Sequence, residues 1–244
     1  MNLSRTALIL WAASFLANAA LFIVLLFRRR IDVVPWFSAW IGFNLLYTTV
    51  LYGTYKLGTR ETYIVLYWTG AFLDLALQVG MVMEIAGYVF RRGGQWVERA
   101  RERLLVAGLA SAFAGILMGW AMTPAAVSRL EGVESRIDLG ATVFITILFT
   151  SVMVVSHQLG LSWKNLVLRE GYGVAAWSVF SFITDTLHAY WRTAEHFTLL
   201  EHVRIIVYLA ALGYWIAIFW RLESTLDMPE VTRTGIESML QRLE

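Results

Sequence analysis

Apolar stretches of about twenty residues recur along this chain, separated by short clusters of charge. Each is long enough to cross roughly 30 Å of hydrocarbon as an α-helix. They lie at 6–27, 33–55, 63–90, 102–122, 138–160, 172–191 and 201–220. Composition points the same way: 58% of the 244 residues are hydrophobic and 16% are charged, too few polar groups for a water-facing surface. The expected fold is all-α, a polytopic membrane protein built as a seven-transmembrane-helix bundle. Residues 1–222 form the membrane domain. Residues 223–244 form a short cytoplasmic tail whose Ile236, Met239, Leu240 and Leu243 have the spacing of one amphipathic helix.

The helix breakers agree with these spans, since Pro35 opens the second, Pro124 follows the fourth and Pro229 lies in the tail. Orientation follows from Lys and Arg. One side collects thirteen: Arg28, Arg29, Arg30, Arg91, Arg92, Arg99, Arg101, Arg103, Lys164, Arg169, Arg221, Arg233 and Arg242. The other holds seven: Arg5, Lys56, Arg60, Arg129, Arg136, Arg192 and Arg204. The positive-inside rule then puts the N-terminus outside and the C-terminus in the cytoplasm, as a multi-pass protein of a bacterial inner membrane. Trp36, Trp68, Trp96, Trp120, Trp163, Trp191 and Trp220 fall near span ends, as interfacial anchors do. The triple arginine after the first span, where a signal peptide would carry its charge before it, argues against cleavage.

Besides the bilayer itself, the partner implied by this distribution is anionic lipid at Arg91–Arg103. The loops are too short to hold a DNA-binding domain, so no nucleic-acid partner is expected. The absence of cysteine excludes disulfides, thiolate catalysis, Cys-ligated zinc and iron–sulfur clusters. His188, His196 and His202 cluster around the last outer loop beside Asp185, Glu195 and Glu201, but no pair has the spacing that puts two imidazoles on one helical face. No metal, cofactor or catalytic constellation is assigned.

A shift of 137 residues lays spans one to three over spans five to seven without a gap, matching Trp40 with Trp177, Phe43 with Phe180 and Ala39 with Ala176. Span four is left as a linker, a three-plus-one-plus-three plan that duplication or similar span lengths alone would produce.

Polar residues within the spans carry the functional information, because an ionisable group at membrane depth is costly unless it is paired or faces a wet interior. Span six sets Ser178, Ser181, Asp185, His188 and Arg192 on one face, and span two sets Trp40, Asn44, Tyr47, Leu51 and Tyr55 on another. Span three puts Asp74 one turn from Gln78, with Glu84 further along, and span seven begins with Glu201, Arg204 and Tyr208. If span three neighbours spans two, six and seven, Asn44, Tyr47, Asp74, Gln78, Asp185, His188, Arg204 and Tyr208 converge on one outward-opening ligand cavity. The alternative for the same residues is an Asp185–Arg204 ion pair between helices with no cavity. Thr142, Thr146 and Thr150 in span five read first as structural groups that bond their own backbone or pack helices closely, and Asn18 and Asn44 as interhelical hydrogen-bond glue. Glu84 has Arg91 and Arg92 within reach as ion-pair partners, or serves a proton relay. Asp74 has no basic residue within two turns on its own helix. It requires a proton, a partner from another helix, or water.

Known heptahelical families are tested by these residues. Neither lysine, Lys56 nor Lys164, lies inside the seventh span, which excludes a retinal Schiff base. The motifs that mark eukaryotic G-protein-coupled receptors, zinc-dependent heptahelical hydrolases, proline-containing sugar transporters and two-haem proteins are also missing. In overall architecture the chain resembles the small, uncharacterised heptahelical membrane proteins of bacterial type and, more distantly, the seven-span input modules of bacterial sensors. The resemblance implies a receptor-like or regulatory membrane protein that binds a small polar or amphiphilic ligand from the outer side, with output through a cytoplasmic signalling partner. A small-solute carrier, proton-coupled through Asp74 or Glu84, is the second expectation, and a membrane-embedded enzyme the third.

The topology makes a direct prediction, aided by the lack of native cysteine. A single cysteine introduced in the 56–62 loop reacts with a membrane-impermeant thiol reagent in intact cells, whereas one at position 96 does not. Labelling at position 96 would reverse the orientation.

Overall fold

A computed structural model of the chain describes residues 5–92, 97–121, 129–158, 165–190 and 194–221. Seven α-helices are the regular elements among them: α1 (Arg5–Phe27), α2 (Pro35–Leu57), α3 (Arg60–Arg92), α4 (Val97–Ala121), α5 (Arg129–Gln158), α6 (Leu166–Tyr190) and α7 (Ala194–Arg221). The all-α class and the seven helices agree with the sequence. The tail at 223–244, Pro124, and the side chains of the arginines at 91–103 lie outside the described residues.

Four helices contain a stretch long and apolar enough to cross a membrane: Leu8–Phe27, Arg60–Val89, Arg136–Gln158 and Leu199–Arg221. α4 carries a shorter apolar stretch, Leu105–Ala121. α2 carries Ser, Asn, Thr, Tyr and Trp residues along its length, and α6 carries Arg169, Glu170 and Asp185 beside its Ser, Tyr and Trp residues, which lowers their mean hydropathy. The outward faces need an apolar surrounding. On α4, Leu105, Leu109, Phe113, Ile116 and Trp120 follow one another at helical spacing and are 62 to 76% exposed, a stripe that lipid covers and that water would not tolerate.

The helices run past the apolar stretches that mark them in the sequence. α3 has 33 residues, and α5 starts at Arg129, inside what reads as a long loop before residue 138. α6 starts at Leu166 and not near 172, and α7 at Ala194 and not near 201. Hydropathy marks only the length in contact with hydrocarbon. Extending a helix beyond it keeps the backbone N–H and C=O groups paired as the chain leaves the membrane.

The α1–α2 connection shows how tightly the turns are specified. Arg29 adopts a left-handed conformation, φ 50°, and the Arg30 N–H donates to the Leu25 carbonyl at 2.9 Å. This is a Schellman-type stop, made with arginine at the position that favours glycine. Arg28 then places its guanidinium 4.7 Å from the Trp220 ring centroid, tying the end of α1 to the end of α7. Arg30, counted with the surface arginines in the sequence, is only 6% exposed.

Pro35 occupies the first turn of α2, and Val34 before it supplies no side-chain cap. Glu84 of α3 does so from across the helix pair, its Oε2 accepting the Trp36 N–H at 2.9 Å. The carboxylate thus meets both an orphan donor and the positive end of the helix dipole, worth about 1 kcal/mol. That contact gives Glu84 a structural role at a helix end; the side chains of Arg91 and Arg92, the partners offered by the sequence, lie outside the described residues.

Six helices form a closed ring. α1 packs on α2 and α7, α2 on α3, α3 on α5 and α6, and α6 on both α5 and α7. α4 stands outside, mainly on α5. Gly115 and Gly119, four residues apart, let the α4 backbone meet α5: a Cβ at Gly115 would lie 2.5 Å from the Gly140 carbonyl oxygen, and one at Gly119 2.6 Å from that of Arg136. This is the small-residue packing common between membrane helices.

The half of the ring near the end of α1 and the start of α2 is solid. Phe37 packs against Trp215 and Phe219 with centroids 5.2 and 5.4 Å away, and Trp40 meets Trp215 at 6.2 Å. Leu21, Leu25, Ile41, Ile85 and Phe149, each fully buried, fill the space around them.

Candidate functional site

The other half of the ring is not filled. A cavity of about 480 Å³ lies among α1, α2, α3, α6 and α7, within the size range of small-molecule sites. Its contributors are the first half of α1, the middle of α2, α3 and α6, and the first half of α7. Because successive helices alternate in direction, the cavity runs from the middle of the bundle toward the end that carries the chain's N-terminus.

Of the residues singled out by sequence, Asn44, Tyr47, Asp74, Gln78, Arg204 and Tyr208 line this cavity. Asp185 stands just behind it. The side chain of His188 lies outside the described residues. The neighbourhood expected for span three holds for α2 and α6 but not for α7, which makes no close backbone contact with α3. Their separation leaves the space that the cavity occupies, so Asp74 and Arg204 meet across it without their helices touching.

Asp74 receives neutral donors: Trp40 Nε1 at 2.7 Å from Oδ1, Gln78 Nε2 at 2.5 Å from Oδ2, and the Asn44 amide. Among the described residues no cation pairs with it. Trp40 is placed by the aromatic core beneath the cavity, and Gln78 by the helical repeat of α3. Asn44 turns its Nδ2 to the Trp40 carbonyl at 3.0 Å. The Tyr47 ring fits over Gly70, where a Cβ would collide with it, and its hydroxyl donates to the Tyr67 carbonyl at 3.0 Å. Glycine at position 70 is therefore required by close approach alone.

On the opposite wall, Arg204 Nη1 lies 3.1 Å from Asp185 Oδ1 and 3.8 Å from Glu201 Oε1. Thr142 Oγ1 donates to the other Asp185 oxygen at 2.9 Å, and Thr146 Oγ1 to the Ser178 carbonyl at 2.9 Å. These two threonines thus hold α5 against α6. The ion pair and the cavity, alternatives in the sequence, coexist: Arg204 is paired and lines the space at the same time. With side chains 34 and 13% exposed, the pair lies at a rim that water reaches, so desolvation is partial.

Several lining residues escape a reading by polar stripes. Asn18 of α1, expected only as interhelical glue, accepts the Tyr208 hydroxyl at 3.0 Å and also lines the cavity. Trp177 packs its ring 5.0 Å from that of Tyr208. Trp40 and Trp177, the residues superposed by the 137-residue shift, both face this space. The shift also exchanges the α1–α7 contact with the α3–α5 contact, and both are present.

Glu170 was missed for a different reason. The sequence leaves it in a loop before residue 172, whereas it lies in the first turns of α6, fully buried, with neither carboxylate oxygen hydrogen-bonded among the described residues. It sits one turn below Val174, which lines the cavity. Among the described residues no three His, Asp or Glu side chains converge as a metal site.

No family model matches the chain, and no curated protein or solved structure matches it. The site is therefore argued from its own chemistry.

The Asp185–Arg204 pair generates a measurable coupling. In a double-mutant cycle of thermal stability, Asp185→Asn and Arg204→Gln together destabilise less than the sum of the single changes, by about 0.5 to 3 kcal/mol. Additive losses would mean that the two side chains act independently.

Proposed function

We propose that this protein is a receptor-like or regulatory membrane protein that binds a small polar or amphiphilic ligand in the cavity between α2, α3, α6 and α7. The observation that carries this reading is the convergence of polar side chains from five helices on one space in a chain whose lipid-facing surfaces are apolar. Polar groups at membrane depth are retained where they meet one another, water or a ligand. Here they meet around a volume that accommodates a small molecule.

The orientation from the arginine count makes this the outer half, with the N-terminus outside and the tail in the cytoplasm. Ligand would arrive from outside, and output would pass through the solid aromatic half of the bundle to a partner on the cytoplasmic side. Arg91–Arg103 would rest on anionic headgroups there.

A second reading, a small-solute carrier, draws on two features. One is the exchangeable arrangement of α1–α3 and α5–α7, the kind of internal symmetry that alternating-access folds use. The other is Glu170, a buried carboxylate with no hydrogen bond among the described residues, one turn beneath the cavity. Because Glu84 is engaged at the α2 N-terminus, Glu170 and Asp74 are the carboxylates available for proton coupling in that case.

One experiment separates these readings. Protein extracted in native lipid patches is analysed by mass spectrometry for small molecules that co-purify with the wild type and with Ser178→Phe, which plugs the cavity. A compound at least about tenfold depleted in the folded variant, and showing no counterflow in proteoliposomes, fits the receptor reading. Counterflow of that compound replaces it with the carrier. Equal small-molecule content in both proteins refutes a ligand site in the cavity.

A further inference from the structure

We infer that the cavity takes an organic ammonium ion, with Asp74 as counter-ion and aromatic rings as walls. The inference rests on the cavity being a ligand site and adds the ligand's chemical class.

The first argument is charge. Asp74 and Glu201 line the space and Asp185 stands behind it, against Arg204 as the single guanidinium there among the described residues. That guanidinium already has Asp185 at 3.1 Å and Glu201 at 3.8 Å. Asp74 is left with neutral donors only, Trp40 Nε1 and Gln78 Nε2, with the Asn44 amide as a third. A carboxylate offers about four acceptor positions, so these bonds leave room for one ligand N–H, and an ammonium would supply the counter-charge that neutral donors do not. An anionic ligand would meet three carboxylates, with Arg204, the one cation lining the space among the described residues, already engaged.

The second argument is the walls. Trp40, Tyr47, Trp177 and Tyr208 line the same space as Asp74. Both tyrosine hydroxyls are committed to protein, Tyr47 to the Tyr67 carbonyl and Tyr208 to Asn18 Oδ1. The rings, more than the hydroxyls, are left to meet a ligand. Trp40 meets the carboxylate edge-on through its N–H, so the ring faces that would receive a cation held by Asp74 are those of the other lining aromatics, Trp177 foremost. Ammonium groups are attracted to ring faces within about 6 Å of the centroid, most strongly to tryptophan and where water is excluded. One occupant thus answers both the unpaired charge and the aromatic lining. A free amine and the choline headgroup of a lipid share this chemistry.

The test is isothermal titration calorimetry of the full chain in phosphatidylglycerol nanodiscs. The titrants are choline chloride, benzylamine hydrochloride, 3,3-dimethylbutan-1-ol as the neutral isostere of choline, and sodium benzoate. Saturable binding of the cations is expected, with the isostere about tenfold weaker or worse, and with Asp74→Asn and Trp177→Leu each weakening the cations by about tenfold. Repeating the choline titration in phosphatidylcholine nanodiscs distinguishes the sources. Unchanged affinity assigns the site to a free amine, and affinity about tenfold lower assigns it to the lipid headgroup. If the isostere or benzoate binds as tightly as choline and depends on Trp177, the ammonium class is wrong and the cavity is still a ligand site. Unaltered cation affinity in folded Asp74→Asn likewise overturns the class. No binding of any titrant overturns both the class and the ligand site.

Discussion

The hydrogen bond from Trp40 Nε1 to Asp74 Oδ1, 2.7 Å long, joins the two halves of this bundle. A carboxylate near the middle of a membrane helix must be satisfied within the protein, and here the group that satisfies it is itself an anchor of the core. The Trp40 indole packs edge-on to Trp215, which packs against Phe37. The position of Asp74 at the cavity floor is thereby set by the most densely packed part of the molecule. Changes in the cavity that move Asp74 bear on Trp40, and through it on the contact between α2 and α7.

The same division of labour extends to the other polar groups. Some hold helices together: Glu84 at the start of α2, Thr146 on the Ser178 carbonyl, and Tyr208 on Asn18, the last two residues also lining the cavity. Others keep unused capacity toward the space, as Asp74 does. α4 takes no part in either function. It packs on α5 through Gly115 and Gly119 and shows lipid a continuous apolar stripe.

Much of this was legible in the residues. The number of helices followed from the apolar runs, and the start of α2 from Pro35. Helical spacing grouped Asn44 with Tyr47 and Asp74 with Gln78 on faces that the structure turns toward one cavity. Other parts were not legible, for identifiable reasons. Hydropathy sees lipid contact and so cut α5, α6 and α7 short, hiding Glu170 in a supposed loop. Polar stripes record only polar residues, and therefore passed over Trp177 as a cavity wall. Separations between helices are invisible to periodicity, so α7 was expected beside α3, when the gap between them is what makes the cavity. Arg30 was read as a surface charge because the turn that buries it depends on a left-handed Arg29.

The central claim is that the interior polar face of α6 borders water that enters from the N-terminal end of the bundle, while the adjoining face borders lipid. Single cysteines at positions 181 and 183 test it most directly, since charged thiol reagents attack the ionised thiol and ionisation requires water. Ser181 is 6% exposed and lines the cavity, whereas Ile183 is 48% exposed on the outer face. With an impermeant charged reagent added outside intact cells, Ser181→Cys is modified and Ile183→Cys is not. Modification at 183 with protection at 181, the order that exposure alone would give, contradicts the account.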